Sequence, residues 1–197
     1  MKYIAWLDTE TTGLEPHKGK LLEVACVVTD LALKELGEFH RIASYSEETL
    51  AMFCDDVVTR MHKGNGLWEA CTKSVNLTQT IEHELIHFLH EKTDNAGQYD
   101  IVLAGNTIGF DRGFLAAHTP LVLAHVHYRM LDVTAVSYGM IPIVGVELKF
   151  DKKKHHRALD DVRESIAQYK AIWKQFFQWR ERGGEPLLDF GLGAEEG

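Results

Sequence analysis

The sequence predicts an α/β domain, a mixed five-stranded sheet flanked by helices. Strand-like runs come first as a group of three and then alternate singly with helical segments, the order of a sheet with both antiparallel and parallel neighbours. The stretch 157–182 repeats apolar residues at steps of three and four, so one long helix buries a stripe. The chain has 197 residues, 45% hydrophobic and 25% charged, which suits one globular domain.

Lys2 to Asp8 alternates loosely and carries Tyr3, Ile4 and Trp6, good strand formers; Thr11-Thr12-Gly13 ends it. Leu22 to Asp30 reads as a second, largely buried strand and Lys34 to Ser44 as a third. Ser46 followed by Glu47 and Glu48 starts a helix. Lys63-Gly64-Asn65-Gly66 is a loop. Thr78 to Lys92 is an amphipathic helix with Ile81, Leu85, Phe88 and Leu89 on one side. Asp100 to Ala104 is a short strand, Asp111 to His118 a helix with Phe114 and Leu115 turned inward, and Tyr128 to Val133 the last strand. In the long helix, Arg157 to Arg182, the stripe is Leu159, Val162, Ile166, Tyr169, Trp173 and Phe176. The domain is expected to span 1–182. Residues 183–197, rich in Gly and Glu, read as a loosely held tail.

No run reaches the roughly 20 apolar residues of a spanning helix, and Met1 to Leu7 lacks a secretory pattern. No membrane association and a cytoplasmic location are expected. Cys26, Cys54 and Cys71 show no Cys-x-x-Cys spacing, which excludes a disulfide framework and a zinc ribbon; Cys26 reads as a buried hydrophobe. The net charge of −8 argues against tracking along duplex DNA, which favours a basic stripe. It is compatible with a short nucleic acid whose phosphate meets cations held by carboxylates.

The chemistry-bearing residues sit at element ends. In Asp8-Thr9-Glu10-Thr11-Thr12-Gly13-Leu14, Asp8 and Glu10 are two apart and share a strand face. They lie at the C-terminal end of the strand, where α/β sheets gather ligands. Paired carboxylates repel unless a cation sits between them, and Mg2+ and Mn2+ prefer such oxygens. A solvated acidic turn is the plainer reading of this pair. Asp111 follows the fourth strand near a helix start, where it could equally be a cap. In His155-His156-Arg157-Ala158-Leu159-Asp160-Asp161, Asp161 lies about 200° round the helix from Leu159, at the margin of the core, and His156 precedes the helix. Acidic residues complementing a helix dipole would explain this segment too.

Together, Asp8-x-Glu10, Asp111 and His156-x4-Asp161 resemble the three motifs of the DEDDh 3′→5′ exonucleases. Two further segments, Met61 to Leu67 and His127 to Thr134, are similar to the oligoribonuclease family, as is the block from His155 to Asp161. The resemblance implies a ribonuclease-H-like fold. It implies hydrolysis of very short single-stranded RNA, dinucleotides above all, to nucleoside 5′-monophosphates. It also implies two divalent metals, Mg2+ or Mn2+, on Asp8, Glu10, Asp111 and Asp161, with His156 taking the proton of the attacking water. By the same resemblance Leu14 would wedge against the terminal bases and His62 would touch the 5′ phosphate. Asn106 and Thr107 would lie beside the substrate backbone. Tyr128, Arg129 and Thr134 would close the 5′ end across a homodimer interface. The chain departs from the family at Val57, where a tryptophan is usual, and at Ser137 to Pro142, which replaces an Arg-Arg-Trp-x-Pro stretch. Its first motif is equally like that of DNA-proofreading enzymes, so single-stranded DNA ends stand as an alternative substrate.

His83-Glu84-Leu85-Ile86-His87 spells the His-Glu-x-x-His signature of zinc proteases. His90 is on the same helix and no third ligand follows downstream, so a solvated polar face explains it. A non-catalytic binding module would lack a carboxylate or the histidine, and none is missing. His125, His127 and His155 read as incidental. Lys152-Lys153-Lys154 reads as a solvated run that could also attract phosphate.

Overall fold

Strands β1 (Tyr3–Thr11), β2 (Leu21–Asp30) and β3 (Glu35–Ile42) form an antiparallel meander in this computed structural model. It describes residues 1–145, 150 and 156–185; Lys152-Lys153-Lys154, His155 and tail residues 186–197 lie outside the described residues. On the other side of β1, β4 (Ile101–Gly105) pairs parallel, and β5 (Met130–Asp132) pairs parallel with β4. The order β3-β2-β1-β4-β5 makes the mixed five-stranded sheet that the sequence predicts. Parallel neighbours need crossovers, and these carry the helices. They are α1 (Glu47–Phe53), α2 (Asp56–Gly64), α3 (Leu67–Lys73), α4 (Thr78–Lys92), α5 (Gly109–His118), α6 (Val133–Val144) and α7 (Ala158–Glu181).

Alternation along the strands sorts two cores. Ala5, Leu7, Val24, Cys26, Val28 and Leu103 face Ile81, Leu85 and Phe88 of α4 and Phe114 and Leu115 of α5. Ile4, Trp6, Ala25, Val27, Val102 and Ala104 face Met140 of α6 and the predicted stripe of α7. Burial on both faces makes β2 buried at every position but Asp30, as its unbroken apolar run requires.

Several boundaries move. β1 continues past Asp8 to Thr11, because β2 keeps pairing with it through Glu10↔Glu23 and, after an irregularity, Thr11↔Leu21. The expected loop at Lys63 is the end of α2, capped by Asp55 on the N–H groups of Val57 and Val58; Asn65 and left-handed Gly66 then turn directly into α3. Ser46 caps α1 as expected. β5 is shorter than the sequence suggests, leaving Tyr128 and Arg129 exposed before it. Among the described residues no helix is long and apolar enough to cross a membrane.

Candidate active site

Strand parity places the first two carboxylates. Asp8 and Glu10 follow Ile4 and Trp6 on the α7 face, while Thr9 follows Ala5 and Leu7 on the α4–α5 face. Pairing between β1 and β4 is drawn only as far as Trp6↔Ala104, so the motif projects beyond β4. Gly105 lets the strands stay close there, since a Cβ on it would come 2.7 Å from the Leu7 carbonyl oxygen. The end of a parallel pair thus opens a crevice of the kind in which α/β sheets bind ligands.

Two helix starts fill that crevice. From α7, Asp161 meets Glu10 and His156: one ligand atom from each of the three lies within 4.8 Å of the others. From α5, Asp111 sits buried in the first turn, its Oδ1 accepting from the Thr9 backbone N–H at 2.8 Å and the Thr9 hydroxyl at 2.7 Å. It is therefore anchored to β1 rather than capping its own helix, whose N-cap is Ile108.

The electrostatics record the crowding. Burial raises the Asp8 carboxyl well above its ordinary range, and the carboxylates of Asp111, Glu10 and Asp161 raise it further. Burial, then Asp161, Glu23 and Asp111, push Glu10 up to about 8. Burial also lifts Asp111 to about 7 against the Thr9 hydrogen bonds, which act to lower it. Four acids in one partly desolvated place, with an imidazole beside them, have the donor chemistry of a divalent-cation site.

Glu23, which the motif reading omits, is a fifth acid of opposite character. It pairs with Glu10 across the β1–β2 ladder, is 1% exposed and accepts from Arg157 Nη2 at 2.8 Å, the Ala158 N–H at 3.1 Å and His40 Nε2 at 2.5 Å. Burial acts to raise it, but these donors outweigh burial and hold it at about 2. The signal was available: one carboxylate inside the apolar run Leu21 to Val28.

The residues expected at the substrate divide. Asn106 donates to Ser165 of α7 at 2.8 Å and accepts from Thr134 at 3.2 Å, and the hydroxyls of Thr107 and Thr134 are 3.3 Å apart. These three residues form one polar cluster at the ends of β4 and β5. Leu14 is 83% exposed beside a cavity of about 220 Å3 lined by Thr12, Gly13 and Phe53. Exposed Arg129 lies over the Tyr128 ring. His62, expected at the 5′ phosphate, is fully buried in this structure, with Nε2 3.0 Å from the Thr11 carbonyl. Its ring braces the backbone after the first motif instead of facing solvent. In α4, His83 and His87 are exposed and Glu84 is paired with Arg41 at 2.6 Å.

Comparison with known proteins shows the family and the fold. The family described as "Exonuclease" (RNase_T) matches residues 5–169. Oligoribonuclease of Ectopseudomonas mendocina (strain ymp) is 39% identical over 178 residues, covering 89% of this chain and 96% of that protein. Oligoribonuclease of Rhodococcus jostii (strain RHA1) is 36% identical over 177 residues, covering 88% and 87%. Among solved structures, the zinc-bound complex of E. coli exonuclease I with single-stranded DNA has a TM-score of 0.69 at 13% identity, over 92% of this chain and 42% of that one. Another exonuclease I structure has a TM-score of 0.67 at 13% identity, over 91% and 44%. At that identity the likeness shows the fold, the expected ribonuclease-H-like α/β architecture, and this chain spans less than half of exonuclease I. By the family match across residues 5–169 and relatives at this identity, the chain belongs to the exonuclease family and is a 3′→5′ exonuclease.

Proposed function

We propose that the protein hydrolyses very short single-stranded RNA, dinucleotides above all, to nucleoside 5′-monophosphates, with two divalent cations, Mg2+ or Mn2+, as cofactors. The observation that carries this is the meeting of Glu10, His156 and Asp161 within 4.8 Å. The donor set fits hard cations: Asp8, Glu10, Asp111 and Asp161 would hold them, and the burial that raises Asp8, Glu10 and Asp111, together with the mutual repulsion that raises Asp8 and Glu10 further, is what a cation offsets. When bound, the cations stabilise phosphoryl charge and acidify water. His156, exposed at the mouth of the cluster, accepts the proton of the attacking water. Leu14 packs against a terminal base, and Asn106 and Thr107 lie beside the substrate phosphate or sugar.

The net charge of −8 supports a short substrate, because cations confined to one crevice attract a single phosphate and not a long backbone. Exposed Tyr128 and Arg129, with Thr134, suit closure of the 5′ end in a partner subunit, so a cytoplasmic homodimer is part of the proposal. The test is a series of 5′-labelled RNA and DNA from two to about ten nucleotides, with Mn2+ or with chelator, alongside sedimentation to read the oligomer. Fastest Mn2+-dependent cleavage of the two-nucleotide RNA is expected. Equal rates at all lengths, or faster cleavage of DNA, would overturn the substrate assignment.

A further inference from the structure

We propose that Glu23 is a positioning residue: acting through Arg157, it clamps the start of α7 so that His156 and Asp161 stand against Glu10. The proposal rests on the assignment of those three residues to the active site.

A carboxylate that is 1% exposed in the middle of an apolar strand is costly to bury. An apolar residue of similar volume would often be at least as stable at such a place, so a buried ion pair is weak evidence of a stabilising role. What Glu23 does have is a specific set of donors. Its oxygens accept from Arg157 Nε at 3.1 and 3.2 Å, from Arg157 Nη2 at 2.8 Å and from the Ala158 N–H at 3.1 Å. That N–H is among the first of α7, which have no partner inside the helix. The N-cap residue, Arg157, makes no side-chain capping bond, so a carboxylate 135 residues away in sequence serves in its place, at the positive end of the helix dipole.

The residue before the clamp shows what is being held. His156 has φ +49°, a left-handed backbone that costs an L residue about 1–2 kcal/mol. Such a conformation persists where its surroundings over-determine it. Here they do so from two sides: Asn65 Nδ2 donates to the His156 carbonyl, and Glu23 holds Arg157 and Ala158. Glu23 and Glu10 are also direct partners in the β1–β2 register. One rung of the ladder therefore fixes the spacing between the α7 start and the Glu10 carboxylate. A shift of α7 on β2 would change the Glu10, His156 and Asp161 geometry first.

The experiment compares Glu23→Gln, Arg157→Ala and the double variant with wild type and Asp161→Asn, as whole proteins. For the cleaved substrate of the length series, kcat should fall about 10- to 100-fold in both single variants, the usual effect of losing an outer partner of a metal site, with KM within ~2-fold. The double variant should be no worse than Glu23→Gln alone, because Arg157 holds the helix start through Glu23. Independently of turnover, Mn2+ should broaden the His156 ring resonances in wild type and broaden them less in Glu23→Gln. If Glu23→Gln does not fold, Arg157→Ala, at a half-buried residue, carries the same expectations. Unchanged kcat and unchanged His156 broadening in folded variants would overturn the proposal, as would additive losses. A wild type that binds Mn2+ beside His156 but cleaves no oligonucleotide would instead sink the nuclease reading while leaving the positioning role standing.

Discussion

Thr9 gives both of its donors to a single oxygen of Asp111, the backbone N–H at 2.8 Å and the hydroxyl at 2.7 Å. Thr9 is the spacer of the Asp-x-Glu motif, and its side chain points away from Asp8 and Glu10. The same three residues thus supply two carboxylates to one face of β1 and fix a third carboxylate from the other.

Thr9→Val keeps the shape and removes the hydroxyl. A hydrogen bond to a charged group contributes about 1.5–3 kcal/mol, and outer partners of metal ligands change affinity by about 10- to 100-fold. Mn2+ affinity, read by calorimetric titration, should therefore fall at least ~10-fold, with kcat falling alongside it. Unchanged affinity would mean that the backbone N–H alone orients Asp111.

The site also predicts an unusual pH dependence for the metal-free protein. Glu10 and Asp111 are pushed up to about 8 and about 7 from ordinary values of 4.5 and 3.8. In that window the folded chain holds protons that the unfolded chain has released. The stability associated with them is full below the unfolded values and is lost as pH rises through the folded ones. Scanning calorimetry in chelator should give a lower Tm at pH 8 than at pH 6. Saturating Mn2+ should raise Tm more at pH 8, because the metal binds the deprotonated acids. Asp161→Asn removes one repelling charge, so it should flatten the metal-free slope while abolishing turnover. Glu23 has the opposite sign: held at about 2, its contribution is present above 4.5 and disappears as pH falls through about 2, outside this window. A metal-free Tm that rises from pH 6 to pH 8 would contradict the crowding of the four acids.

Much of this was legible in the residues. The strand faces of Asp8 and Glu10 follow from a period of two, and α4 runs from Thr78 to Lys92 as its apolar spacing dictates. The helices α2 and α3 were not legible, since pieces of nine and seven residues barely complete two turns of a pattern. α6 was hidden by its composition: Val133 to Val144 is apolar and partly β-branched, with Pro142 near its end, and such runs carry no helical period. The place of His62 and the role of Glu23 depend on what lies across the fold, Thr11 and Arg157 respectively, which no local pattern encodes.

The His-Glu-x-x-His helix should prove silent. His83 and His87 stand on the solvated side of α4, opposite Ile81, Leu85 and Phe88, and line an open cavity of about 640 Å3 with Phe39, Arg41 and Lys92. Replacing both histidines by alanine should leave kcat within about 2-fold, the scale of a neutral surface change of ±0.5 kcal/mol. Loss of nuclease activity in that variant would move the chemistry to α4.

Gly105 is the sharpest structural test of how Asp8 is aimed. A Cβ there would come 2.7 Å from the Leu7 carbonyl oxygen and 3.1 Å from Ile108 Cδ1. The first of these is backbone and cannot rotate away, so Gly105→Ala must push β4 from β1 just where β1 leaves the pairing. Overpacking of this kind destabilises by about 1–3 kcal/mol, which urea unfolding would read directly. Gly139→Ala is the matched control: it lies inside α6 with nothing among the described residues within 4 Å of the new methyl, and alanine in a helix interior should hold or raise stability. Because Leu7 immediately precedes Asp8, the Gly105 variant should also lose Mn2+ affinity, whereas the Gly139 variant should not. A Gly105→Ala protein that unfolds earlier yet binds Mn2+ normally would show that pairing with β2 alone sets the direction of the Asp8 carboxylate, and that the close approach to β4 serves stability only.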